Sequence, residues 1–164
     1  MRTVIGVMGG GHADATTASL AREIGSRIAS QGWVLLTGGR DCGVMAAASA
    51  GAAEAGGLVI GVLPGDDFTG VSPGVDIAIP TGMGQARNAI NVLASHVVVA
   101  LPGGAGTISE IALALKSGRQ VVVVGWDPGE TLRAAGGADL VSVHTPSDAI
   151  DAVKRFLALP STHP

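Results

Sequence analysis

The sequence predicts an α/β fold: a doubly wound, mainly parallel sheet of about seven strands, with helices on both faces. Three observations carry that expectation. Short β-branched runs alternate with Ala-rich stretches of helical length, several of the runs are apolar throughout, and glycine clusters stand where the runs end. Alternating strands and helices imply parallel pairing through right-handed crossovers, and continuous apolar runs suit strands covered on both faces. No repeat or linker interrupts the pattern, so residues 1–164 are expected to form one domain, a length at which a single core is usual.

The first strand spans residues 4–8 and ends in Gly9-Gly10-Gly11. A helix follows over about 16–30, with Asp14 placed to cap it and Leu20, Ile24 and Ile28 at four-residue spacing forming its buried stripe. Residues 34–37 are the second strand, and Gly38 to Gly43 a loop. The helix over about 44–55 carries Ala, Ser and Gly on its inner faces, which lets it lie close to the sheet; Gly56-Gly57 stops it. Strands are expected at 58–63 and 75–79, separated by a Gly- and Pro-bearing surface loop over 64–74. Thr81-Gly82-Met83-Gly84 leads into a helix over about 85–94. The apolar strand 97–101 runs into Pro102-Gly103-Gly104-Ala105-Gly106-Thr107 and a helix ending near Gly118. Strands at 121–124 and 140–143 and a helix at 147–158 complete the chain, with 129–137 open between a loop and a short helix.

Composition narrows the function. Hydrophobic residues make up 47% of the 164 positions, charged residues 14%, and glycine supplies 26 residues, more than double its usual ~7% share. Such a chain packs a core and brings bare backbone close to something. Ten basic against thirteen acidic residues give a net charge of −3, with two Phe, two Trp and no Tyr. A nucleic-acid platform needs a basic stripe and stacking rings, so no polymeric nucleic-acid partner is expected. No apolar run has the ~18 residues of a membrane span, and no signal-peptide pattern opens the sequence. The lone Cys42 cannot form an internal disulfide, which points to a reducing cytoplasm.

Ligands of open parallel sheets bind beyond the strands' carboxyl ends, near the reversal of strand order. Four glycine-bearing segments fall there: Gly9 to Gly11, Thr37 to Gly43, Thr81 to Arg87 and Pro102 to Thr107. The last is the most informative. A glycine turn that opens into a helix presents free N–H groups at the positive end of the dipole, a phosphate site. Thr37-Gly38-Gly39 before its helix is a weaker version. The expected ligand-binding set is therefore Gly9, Gly10, Thr37, Gly38, Gly39, Gly43, Arg87, Gly103, Gly104, Ala105, Gly106 and Thr107.

The common nucleotide fingerprints are absent or imperfect. No G-x-x-x-x-G-K-[ST] occurs, and Gly104 to Ser109 has Ser where a dinucleotide fingerprint wants its third Gly. Thr107-Ile108-Ser109-Glu110 fits a capping box, which makes Glu110 either a cap or a carboxylate facing the rim. Arg87 is placed in the first turn of its helix, where the dipole disfavours a cation; an anionic ligand would offset that, and a solvated or locally paired arginine is the bland alternative. His12, His96, His144 and His163 lack metal-ligand spacing, so no metal is expected. Cys42 has no evident His partner. Asp66-Asp67 reads as a cation site or a solvated pair, and Trp126 as a stacking ring or edge packing.

These words resemble the PGGxGTxxE signature of the LONELY GUY superfamily, Rossmann-like proteins long mislabelled as lysine decarboxylases, along nearly the whole chain. Pro102 to Glu110 carries the signature, and Thr37-Gly38-Gly39 with Gly43-Val44-Met45 is similar to the family's second glycine motif. Gly57 to Gly65, Ala86-Arg87-Asn88 and Ser109 to Leu115 are most similar to a short bacterial branch that includes molybdenum-cofactor carrier proteins. The resemblance implies a homo-dimer or homo-tetramer and one of two functions. The first is a carrier for a phosphorylated, nucleotide-like ligand such as a pterin, with molybdenum cofactor as cargo and no other cofactor required. The second is a phosphoribohydrolase cleaving nucleoside 5′-monophosphates, a nucleotide N-glycosidase and not a decarboxylase, with Glu110 and Arg87 as the catalytic pair. The family's Arg lies in a Met-x-x-Arg-Lys motif; here Met83 precedes Arg87 by four and Asn88 stands in the Lys position. That departure favours the carrier.

Overall fold

The computed structural model describes residues 1–159; His163 and the end of the expected 1–164 domain lie outside the described residues. Its strands are β1 (Val4–Met8), β2 (Val34–Thr37), β3 (Val59–Leu63), β4 (Ile77–Pro80), β5 (Val97–Ala100), β6 (Gln120–Val124) and β7 (Leu140–Val143). Among the described residues the helices are α1 (Ala15–Ser30), α2 (Gly43–Glu54), α3 (Asn88–Leu93), α4 (Ala105–Lys116), α5 (Glu130–Gly136) and α6 (Pro146–Leu157). The strands form one seven-stranded sheet in the order β4-β3-β2-β1-β5-β6-β7, every neighbouring pair parallel. The doubly wound α/β expectation is met.

Alternation along the strands divides the core in two. Ile5, Val7, Leu35, Val97 and Val99 pack under α1, α2 and α6, while Met8, Leu36, Val98 and Ala100 pack under α3 and α4. Helices thus cover both faces, as the apolar runs require. Asp14 caps α1 by accepting from the Thr17 amide at 2.7 Å.

Three local expectations change. The small residues of α2 serve its contact with α1 as well as the sheet: a Cβ on Gly51 would lie 1.9 Å from the Arg22 carbonyl oxygen, and one on Gly25 2.1 Å from that of Ala48. The two helices therefore touch backbone to backbone. The fourth strand starts at Ile77 rather than 75: the Val75 amide turns back to the Ser72 carbonyl at 3.0 Å, and the Asp76 carboxylate takes the Val59 amide at 2.8 Å. The helix expected over 85–94 is a 3-10 turn, Gly84–Arg87, followed by α3. The undecided stretch 129–137 holds α5.

Candidate functional site

Strand order reverses between β1 and β5, whose following helices α1 and α4 lie on opposite faces. Their carboxyl ends flank the gap such a reversal leaves. A cavity of about 190 Å³ opens there, lined by Gly9, Gly10 and Gly11 after β1, Gly38 and Arg40 after β2, and Pro64 after β3. Gln85, Arg87 and Asn88 close one side, and Gly104, Gly106, Thr107 and Glu110 another. An adjoining hollow of about 390 Å³ shares Gly10, Gly11 and Gly104 and adds Gly103, His12 and Asp14.

The triple-glycine turn enters α4 early. Gly104, in extended conformation, is the residue before the helix, so Thr107 is its third residue and Glu110 its sixth. The capping box expected over 107–110 does not form, and Glu110 is left to other partners. Among the described residues the amides of Ala105, Gly106 and Thr107 donate to nothing. Free donors at a helix N-terminus favour an anion. Of the expected residues, Gly9, Gly10, Gly38, Arg87, Gly104, Gly106 and Thr107 come together in the cavity wall; Gly103 faces the adjoining hollow, and Ala105 lines neither.

The mouth of α2 is arranged differently. The Gly39 amide donates to Thr37 Oγ1 at 3.1 Å, and the Val44 amide to the Gly10 carbonyl at 3.0 Å. Thr37 is fully buried, its hydroxyl 3.4 Å from that of Ser49. Thr37, Gly39 and Gly43 shape this loop without lining the cavity.

Arg87 is buried, with 6% of its surface exposed. Its guanidinium rests on Gly38: a Cβ there would lie 2.5 and 2.6 Å from the two terminal nitrogens, Nη1 and Nη2. Among the described residues no carboxylate is in ion-pair range of it, and its Nε is buried without a partner. The solvated and locally paired alternatives are thereby replaced. Burial pulls the Arg87 pKa down; the charge of Glu110 opposes this and that of Arg40 adds to it.

Glu110, also 6% exposed, accepts from Asn91 Nδ2 at 2.9 Å. Burial pushes its carboxyl up from the usual range, against the Asn91 bond and the Arg87 charge. Asn88 Nδ2 reaches Ser109 Oγ at 3.4 Å, and Ser109 Oγ donates to the Gly106 carbonyl at 2.7 Å. Two asparagines three apart, on one helix face, thus tie α3 to α4 and set Arg87 and Glu110 around one space. Arg40, Gln85 and Asn91 were not singled out from the sequence, and Met45 and Asn88 entered only as words of the family resemblance. The signal available for the asparagines was their spacing within an otherwise apolar helix.

Three other candidates have structural partners. Trp126 Nε1 donates to the Ala100 carbonyl at 3.2 Å and its ring packs on the core, the edge-packing alternative. His96 Nδ1 accepts from the Val4 amide. Asp67 accepts from the Thr69 amide and hydroxyl. Cys42 precedes α2 and is a free thiol.

The model of the SLOG cluster4 family matches residues 2–150. The structure of a molybdenum cofactor binding protein from the phototrophic bacterium Rippkaea orientalis is similar at a TM-score of 0.93 and 45% identity, over 96% of this chain and 99% of that one. A Moco carrier protein from Chlamydomonas reinhardtii gives 0.91 and 44%, over 96% and 99%. A cytokinin riboside 5′-monophosphate phosphoribohydrolase from Mycobacterium tuberculosis is 34% identical over 94 residues, 56% of this chain and 50% of that protein.

Proposed function

This chain belongs to the SLOG cluster4 family, and on that premise we propose that it is a carrier for a phosphorylated, nucleotide-like ligand, with molybdenum cofactor as its cargo. The observation that carries this is Arg87: a buried guanidinium with an unpartnered Nε, in the same cavity wall as the open turn before α4. Burying a cation is costly unless an anion meets it, and the amides beside it favour that same anion. A phosphate bound there satisfies both. Two proteins similar to this chain over nearly its whole length are a molybdenum cofactor binding protein and a Moco carrier protein, which supports the choice of cargo. We take residues 1–164 as one domain, working in the cytoplasm as a homo-dimer or homo-tetramer, with molybdenum cofactor as cargo and no cofactor required.

The ligand that copurifies with the chain, identified by mass spectrometry, tests this reading. A phosphorylated pterin or nucleotide is the expected result, lost in Arg87→Ala. A chain that binds neither class overturns it. One observation favours a second reading, nucleotide N-glycosidase activity: Glu110 stands in the cavity wall, released from capping. Cleavage of a glycosidic bond passes through an oxocarbenium-like state, which Glu110 would stabilise while Arg87 holds the phosphoribosyl group. Free base appearing from AMP, and vanishing in Glu110→Gln, would establish the enzyme; binding without turnover favours the carrier.

A further inference from the structure

We infer that Arg40 makes this cavity select a phosphate monoester, with two negative charges, over a singly charged phosphodiester. This rests on the phosphate reading above and adds a charge class to it. Arg40 and Arg87 line the same cavity, and among the described residues Glu110 is the single carboxylate in that lining. Burial favours the neutral form of Glu110. Two guanidiniums thus face at most one carboxylate, on a chain whose net charge is −3.

The two cations are held in different ways. Arg87 is enclosed, its guanidinium against Gly38. Arg40 is exposed, and its backbone is pinned: it bridges Val71, the Asp41 amide donates to the Gly70 carbonyl at 2.8 Å, and the Ser72 amide to that of Gly39 at 2.8 Å. Among the described residues no carboxylate pairs with Arg40. An arginine without an ion-pair partner, on fixed backbone at the lip of a cavity, is available to a ligand. Arg87 and the α4 amides meet the first charge of a bound phosphate. The second charge, present on a monoester and absent from a diester, requires another donor, and the guanidinium fork suits phosphate oxygens.

Calorimetric titration of the full chain with AMP, its 5′-methyl ester (a diester of one charge) and adenosine tests this. Wild type is expected to bind AMP most tightly. Arg40→Ala should weaken AMP about tenfold, the scale of a charge-assisted hydrogen bond partly screened by solvent, and shift the methyl ester and adenosine much less. Arg40→Lys should recover part of the loss, and an unchanged melting temperature shows that the loop still folds. If Arg40→Ala leaves AMP unaffected, or weakens AMP and its ester equally, the role of Arg40 is overturned while the phosphate reading stands. If the wild type binds none of the three, the charge selection by Arg40 falls, while the carrier reading is decided separately by the copurifying ligand.

Discussion

The chain leaves β2 and β5 through glycine-rich turns of similar appearance, each opening into a twelve-residue helix. At α4, the first amides are free among the described residues and the turn lines the cavity. At α2, the second amide of the helix, Val44, is taken by the Gly10 carbonyl, and the Gly39 amide in the turn before it by Thr37 Oγ1, while among the described residues the Gly43 and Met45 amides donate to nothing. What the second turn offers is a surface without side chains, Gly38, on which Arg87 rests. Glycines before a helix therefore do not by themselves mark an anion site. What differs is the run of open amides: three in succession at α4, interrupted at α2 where the Gly10 carbonyl takes the middle one.

The largest effect is expected from removing the cation shared by the two turns. Arg87→Ala should weaken phosphate monoester binding by two to three orders of magnitude, on the order of 3–4 kcal/mol, the scale of losing a buried charged partner; calorimetry measures it. A loss below about threefold would show that α4 binds without help from the α2 side. Gly38→Ala sharpens the comparison, since its methyl would press on the guanidinium and on Met45 Sδ. We expect a destabilisation of about 1–3 kcal/mol from overpacking, seen by thermal melting, together with weaker binding. Unaltered binding would mean that Gly38 does not hold Arg87 in place.

Glu110 gives a pH test. Because burial raises its pKa in the folded state, the native chain keeps a proton that the unfolded chain has released. Stability then falls as pH rises from the ordinary carboxylate range through the raised value. Glu110→Gln should lack that fall, so the gap in melting temperature between the two should shift with pH in favour of the variant. Parallel curves would place Glu110 in a wetter setting. The smallest effect is expected at a third strand exit, where Thr145 Oγ1 caps α6 by accepting from the Asp148 amide at 3.1 Å. Thr145→Ala should cost about 1 kcal/mol and leave ligand affinity unchanged, separating a cap made by a side chain from amides left open.

The strands were legible because each is a compact apolar run between turn residues, and their parallel order followed from the intervening helices. The late start of β4 was not, since it depends on the Val75 amide turning back to Ser72 and on the Asp76 side chain reaching Val59 of the neighbouring strand. Glu110 and Arg87 stood out through sequence words, but their burial belongs to the packing of α3 on α4. Arg40 and Asn91 join the site through neighbours distant in sequence, which local pattern does not report. The 107–110 capping box failed because the glycine turn enters its helix three residues earlier than the Thr implied.

Gly10 bonds to both of its neighbours at the cavity mouth. Its amide donates to the Pro102 carbonyl at 3.0 Å on the β5 side, and its carbonyl accepts from Val44 on the β2 side. One residue thereby ties the exit of β1 to the exit of β5 across the gap that holds the cavity, and to the start of α2 on its other side. The wall between them is braced on both sides, and a site whose width is fixed beforehand loses less freedom when a guest is ordered within it.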